Sequence, residues 1–388
     1  MTARRILTIG LLLVFFGTVR VQAKRVVTGD ERTELYLPLP AGKRVALFAN
    51  HTSVAGNKHI ADLLHESGVN MVAIFAPEHG FRGNADAGEH ISNSFDEKTS
   101  TPIVSLYGGN ADKAMASAPD FDILIVDIQD VGLRFYTYYV TMWRLMNFCA
   151  RTGREAIVLD RPNPNGFYVD GPILNMELRS GVGWLPIPTV YGMTLGELAQ
   201  MINGEKWLDD GRVCPLKVIP CKNYRRQTRA KISIPPSPNL PNMKSIYLYP
   251  SMCYFEGTVV SLGRGTAKPF QIYGHPDMKG CNYSFTPESV AGAKNPPLLG
   301  RLCHGRDLST KSDREICREG INLEYVIDAY RNLGMGEKFF TSFFDKLAGQ
   351  TYIREMIIQG HSAAEIKAMW KGDVEKFLRQ RKPYLIYQ

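Results

Sequence analysis

The sequence contains no Cys-x-x-Cys pair, no His-Glu-x-x-His or His-x-His, and no Gly-x-Ser-x-Gly. These absences speak in turn against a zinc ribbon or thioredoxin-like centre, a zincin-type metal helix and a serine nucleophile elbow. The glycines around Gly263-Arg264-Gly265-Thr266 lack the preceding strand, the spacing and the lysine of a phosphate-cradling loop. No run of Lys and Arg is interleaved with aromatics, so nucleic acid is not an expected partner. Internal repeats and low-complexity segments are also missing. The seven cysteines are an odd number, which leaves at least one thiol free or bonded to another molecule if the chain is oxidised. Cys149 lies in an apolar helical stretch and is expected to be a packed thiol.

What is present begins with an export signature. Arg4 and Arg5 precede an apolar run, Ile6 to Phe16, and Val21-Gln22-Ala23 offers a small-residue cleavage site. The run is shorter than the roughly 20 apolar residues a membrane-spanning helix needs, so it reads as a secretory signal and not as a lasting anchor. Cleavage after Ala23 removes Arg4, Arg5 and Arg20 and no acid, which lowers the formal charge from +8 to +5. That mild excess favours an anionic polymer. The remaining chain, about 365 residues, exceeds the usual size of one hydrophobic core, and two domains are expected.

Apolar runs alternate with helix-like stretches through the first half. Strands are expected at Arg44–Ala49, Val69–Phe75, Pro102–Leu106, Asp122–Ile128 and Glu155–Leu159. Helices are expected at Lys58–Glu66, Ala111–Ala118 and Thr137–Thr152, the last closed by Gly153. Continuously apolar strands separated by helices imply a parallel sheet covered on both faces, hence an open α/β fold. Thr194-Leu195-Gly196-Glu197 is a capping box opening a helix through about Trp207. The Pro-rich stretch 234–241 marks a seam. Beyond it, short strands and turns lead to a helical tail with segments at Leu323–Leu333, Phe339–Leu347 and Val374–Arg379, and a second capping box at Ser362–Glu365.

Ligands of open parallel sheets bind outside the carboxyl ends of the strands. There the sequence places Asn50-His51-Thr52-Ser53, Pro77–Gly83 with Glu89 beyond, Tyr107-Gly108-Gly109, Asp127–Tyr136, and Asp160–Gly166. Polar loops are ordinary on any surface, but carboxylates closing directly on an apolar strand are costly to desolvate without a partner. Arg134 is the expected partner of Asp127 and Asp130. Glycoside hydrolysis needs one protonated carboxylic acid and often a second carboxylate. Glu78, held between Pro77 and Gly80, is the preferred acid, with His79 beside it. Asp127, Asp130 and Glu89 compete for the second role, which the substrate's own acetamido group can also fill. Glu256 is a further acid candidate, and Arg264 is suited to grip a carboxylate. The competing chemistry is metal-assisted hydrolysis, since His51, His59, His65, His79 and His90 cluster early and can join Asp127 and Asp130 as zinc ligands. Against it, His59 and His65 fall on the expected first helix, on its solvent face.

Six motifs in order, Pro77–Gly83, Asp127–Tyr138 (DIQDVGLRFYTY), Leu159–Gly166 (LDRPNPNG), Tyr191–Leu198 (YGMTLGEL), Ser237–Pro241 (SPNLP) and Phe255–Phe270 (FEGTVVSLGRGTAKPF), resemble the exo-β-N-acetylmuramidase family of the NamZ type, formerly a domain of unknown function. The resemblance runs from about Val45 to the C-terminus. It implies a Rossmann-like N-terminal domain, a smaller mixed α+β C-terminal domain and a cleft between them. It also implies release of N-acetylmuramic acid from the non-reducing end of peptidoglycan-derived disaccharides or glycan chain ends, and it places Glu78 on the family's candidate catalytic glutamate. The expected division is a signal at 1–23, a catalytic domain at 24–241 and a closing domain at 242–388. Neither metal nor cofactor is expected. Asn50, Arg82, Glu89, Arg134, Tyr136, Asn163, Glu256 and Arg264 are the expected sugar-holding residues, and the enzyme is expected outside the cytoplasm. The alternatives are a wall-sugar binding protein without turnover and a metal-dependent hydrolase of wall peptides or esters.

Overall fold

The structure is a computed structural model that describes residues 24–77, 81, 94–106 and 111–388. Its centre is a seven-stranded sheet. In chain order the strands are β1 (Val45–Ala49), β2 (Met71–Ala76), β3 (Ser94–Phe95), β4 (Pro102–Ser105), β5 (Ile123–Asp127), β6 (Glu155–Leu159) and β7 (Leu216–Ile219). Across the sheet they run β7-β6-β5-β1-β2-β4-β3, all parallel except the β3–β4 pair. The five expected strands are all present, Glu155–Leu159 with the expected bounds and the others with ends shifted by at most two residues. The two missed ones are edge strands. β7 exposes Lys217 and β3 has two residues, so neither shows a continuous apolar run.

Strands β1 and β5 are buried along their whole length because their side chains alternate between two cores, and β2 and β6 are buried except at their first residues. Ala46, Phe48, Phe75, Leu124 and Val126 face one, and Val45, Leu47, Ile74, Ile123 and Ile125 face the other. The covering helices are α1 (Ile60–Glu66), α2 (Ala111–Ser117), α3 (Tyr138–Thr152) and α4 (Leu195–Gly204). Gly153 ends α3 at φ 70°, and the Thr194/Glu197 capping box opens α4. Expected helix residues Lys58 and His59 instead form a short strand against Val54–Ala55. His59, expected on a solvent face, is the half-buried N-cap of α1, its side chain accepting from the Ala61 N–H at 3.2 Å.

The second half contributes helix α5 (Met243–Met252), a three-stranded antiparallel sheet (Ile272–His275, Cys303–Asp307 and Tyr283–Phe285, in that spatial order) and a helical tail ending with Lys371–Arg381. Pro250 lies inside α5 and cannot donate to Ile246 four residues back. The side-chain amide of Asn165 approaches that carbonyl instead, at 3.5 Å. The expected helix Phe339–Leu347 is broken. Phe340 is extended and bridges to Thr258, so helix resumes only at Phe344–Ala348. Tertiary pairing overrides local propensity there. One core runs continuously from Ala46 and Phe48 to Trp370 and Phe377, joining the two halves. No helix among the described residues is long and apolar enough to cross a membrane.

Candidate active site

Strands β1, β2, β5 and β6 all end on one edge, since Phe48 pairs with Phe75 and Ala49 with Asp127 in parallel register. Ser53 secures two of these ends, accepting from the Asn50 N–H at 3.0 Å and donating to the Asp127 carbonyl at 2.5 Å. A third layer comes from the N-terminal lead. Gly29 donates its N–H to the Asp160 carbonyl at 2.8 Å. A β-carbon on Gly29 would lie 2.4 Å from the Ile219 carbonyl oxygen and 2.5 Å from the Asp160 nitrogen, so only glycine lets the chain come this close.

That docking brings Asp30 to Arg161. The guanidinium donates from Nε to Asp127 Oδ1 at 2.5 Å, from Nη2 to Asp127 Oδ2 at 3.0 Å and from Nη2 to Asp30 Oδ2 at 2.6 Å. Both aspartates are fully buried, and Arg161 is 8 % exposed. Burial, and then the charge of Asp127, pushes the Asp30 carboxyl up to about 7, with Arg161 opposing. Above this triad opens a cleft of about 400 Å³, lined by Thr52, Gln129, Arg161 and Pro162 from the sheet edge, Thr28 and Glu31 from the lead, and the segment 228–234.

Asp130 sits off this cleft. Its Oδ1 accepts from the Tyr191 hydroxyl and from the Gly132 N–H at 2.5 Å, while its buried Oδ2 has no partner among the described residues. Burial raises its carboxyl to about 7, against the hydrogen bonds from Tyr191 and Gly132. Arg134 partners neither aspartate. It is completely buried, and its guanidinium donates to the carbonyls of Pro172 (2.7 Å), Ile187 (3.1 Å), Leu347 (3.2 Å) and Ala348 (2.8 Å). A fork spent on four carbonyls in the core has no face left for a sugar, so the expected ion pair and sugar contact of Arg134 are both corrected. Arg161 and Tyr191 take the places expected of it.

Other expected sugar-holders are engaged within the protein. Asn50 donates to the Tyr138 hydroxyl at 2.9 Å and accepts from the Thr52 N–H and hydroxyl at 2.9 and 2.6 Å. Tyr136 donates to the Pro236 carbonyl at 2.8 Å, tying the Pro-rich stretch across the sheet edge. Asn163 donates to the Met193 carbonyl and accepts from the Asn165 N–H, each at 2.8 Å. Glu256 and Arg264 form an ion pair with each other, away from the cleft lining. Glu78, His79, Arg82, Glu89 and His90 lie outside the described residues. The end of β2, which Glu78 follows in sequence by two residues, lies on the edge that bears Asp127. Of the zinc candidates, His51 and His59 contact the carbonyls of Pro235 and Asn50 at 2.8 and 2.9 Å, and His65 is exposed. Among the described residues no three His, Cys, Asp or Glu side chains converge as a metal site.

Sequence reasoning missed Arg161, Gln129 and Asp30 as site residues. The first two stand inside motifs noted at strand ends, Asp160–Gly166 and Asp127–Tyr138. Asp30 carries no local signal, because its place depends on a contact between the lead and β6.

A polar cleft at the carboxyl edge of a covered parallel sheet defines an α/β enzyme scaffold. The chain belongs to the NamZ family of exo-beta-N-acetylmuramidases, which are glycoside hydrolases: the family's N-terminal description matches residues 45–244 and its C-terminal description residues 247–387. It is 39% identical over 368 residues to the peptidoglycan beta-N-acetylmuramidase NamZ of Bacillus subtilis (strain 168), covering 89% of this chain and 87% of that protein. A crystal structure of a DUF1343 family protein from Bacteroides fragilis NCTC 9343 is 61% identical, with a TM-score of 0.88 over 94% of this chain and 99% of that one. A second such protein from the same strain is 29% identical, with a TM-score of 0.76 and the same coverage.

Proposed function

We propose that this chain releases N-acetylmuramic acid from the non-reducing end of peptidoglycan fragments, with the sugar seated in the cleft above Arg161. The observation that supports this reading is the position of that cleft, on the edge where β2 delivers Pro77 and, next in sequence, Glu78. Glu78 is the general acid that protonates the leaving oxygen. Asp127, with both oxygens held by Arg161, orients that arginine and does not attack the sugar. Asp130, buried beside Tyr191, stays behind the cleft. The second catalytic role then falls to Glu89 or to the substrate's acetamido group, with His79 controlling the proton on Glu78. The residues at 242–388 form a second domain packed on the first, and the N-terminal signal sends the enzyme out to the wall.

The test is incubation with a MurNAc–GlcNAc disaccharide and chromatography of the products. Free N-acetylmuramic acid and N-acetylglucosamine are expected. Tight binding with no product after long incubation would instead identify a wall-sugar binding protein.

A further inference from the structure

Two side chains on the floor of the cleft are almost wholly buried yet keep one polar atom each without a partner among the described residues. Arg161, 8 % exposed, spends Nε and Nη2 on Asp127 and Asp30, and its Nη1 has no partner among the described residues. Gln129, 7 % exposed, donates Nε2 to the carbonyls of Asp130 and Pro162, each at 2.8 Å. Two carbonyl acceptors fix the orientation of that amide, because only its NH₂ end can serve them. Its Oε1 is therefore the end left over, and it too has no partner among the described residues. Both residues line the same cleft. A donor and an acceptor left over in this way, on side chains held rigid from behind, are what a ligand group can satisfy.

The charge of the floor limits the chemistry of that group. Arg161 already faces Asp127 and Asp30, so its positive charge is largely cancelled before a ligand arrives. A carboxylate gains little there. A neutral group that accepts from Nη1 and donates to Oε1 gains two hydrogen bonds without desolvating a net charge.

We propose that Arg161 Nη1 and Gln129 Oε1 form a donor–acceptor subsite for a neutral polar group of the sugar, a ring hydroxyl or its acetamide, and that Asp127 and Asp30 are the positioning residues that hold Arg161 in place. The inference rests on the muramidase reading of this cleft. Asp30 matters because it comes from the N-terminal lead. The cleft floor is complete only when residues 28–31 are docked on Asp160.

The experiment titrates the intact protein with N-acetylmuramic acid and with muramic acid lacking the acetyl group, by calorimetry, alongside kinetics on the disaccharide and a melting curve. Arg161→Lys keeps the charge but loses the fork, and is expected to weaken N-acetylmuramic acid binding at least tenfold. If the bound group is the acetamide, muramic acid binds the wild type tenfold more weakly and Arg161→Lys costs it nothing further. If it is a hydroxyl, the variant weakens both sugars alike. Either pattern supports the subsite. An Arg161→Lys protein that melts with the wild type and binds both sugars as tightly overturns it. Should that variant fail to fold, Asp30→Asn leaves the Asp127 fork in place while loosening Nη2. A severalfold rise in KM with kcat unchanged is then expected, and an unchanged KM overturns the proposal. A wild type that neither binds nor cuts these sugars would sink the muramidase reading itself, a different result from an active wild type with an equally active Arg161→Lys.

Discussion

Asp127 gives both of its oxygens to Arg161, one to Nε and one to Nη2, so the plane of the guanidinium is fixed by a single carboxylate. Planar two-point pairing of this kind combines strength with geometric definition. Breaking it strands a buried cation that Asp30 holds through one nitrogen only. Asp127→Ala is expected to cost about 3–5 kcal/mol of folding stability, the range for removing one partner of a buried pair. Urea denaturation measures it. A loss below about 1 kcal/mol would mean that the arginine finds water when unpaired, and that the floor is wetter than its burial implies.

A second buried arginine acts at a distance from the cleft. Arg134 joins the carbonyls of Pro172 and Ile187, in the first half, to those of Leu347 and Ala348, in the second. Lysine has one nitrogen and cannot reach all four. Arg134→Lys should orphan at least two buried carbonyls and lower stability by about 2–4 kcal/mol. The measurement is the denaturant midpoint, with the slope watched for loss of two-state behaviour. A wild-type midpoint would show that the latch is dispensable.

Protonation of buried carboxyls gives the stability a pH dependence of definite sign. Asp130 is raised to about 7 and Asp160 to about 6, both mainly by burial. A carboxyl whose folded pKa lies above its unfolded value binds its proton more tightly in the native state. It contributes full stability below the unfolded value, near 4, and that contribution is lost as pH rises through 6 and 7. Asp130→Asn, which cannot ionise, should therefore gain on the wild type as pH goes from 5 to 8. Paired melting curves at the two pH values test this. A constant difference between the two proteins would remove Asp130 as a source of the slope.

The sheet was legible because β1, β2, β5 and β6 carry apolar side chains to both cores, and such runs announce themselves. β7 was not, because an edge strand with Lys217 pointing outward resembles a loop. The same physics divides the site. That the strand ends at Asn50, Asp127 and Asp160 would share one edge followed from parallel topology. Which atoms face the substrate did not, because long-range contacts assign the partners: Asp30 reaches Arg161 from 131 residues away, and Arg134 reaches Ala348 across 214. Proximity in sequence points to Arg134 as the partner of Asp127 and Asp130. The fold gave that arginine to backbone carbonyls and took Arg161 for the cleft.

The acid role proposed for Glu78 makes a prediction that separates catalysis from folding. A general acid is needed in proportion to how poor the leaving group is, and its removal typically costs 10²–10⁴-fold. Glu78→Gln should therefore lose about that much kcat on a MurNAc–GlcNAc disaccharide, whose leaving alcohol must be protonated as the bond breaks. On an aryl N-acetylmuraminide with an acidic phenol as leaving group, the phenolate departs unaided, and most of the wild-type rate should survive. An equal loss on both substrates, with the melting curve unchanged, would assign Glu78 to binding or to a second displacement and leave the acid to be sought elsewhere along residues 78–93.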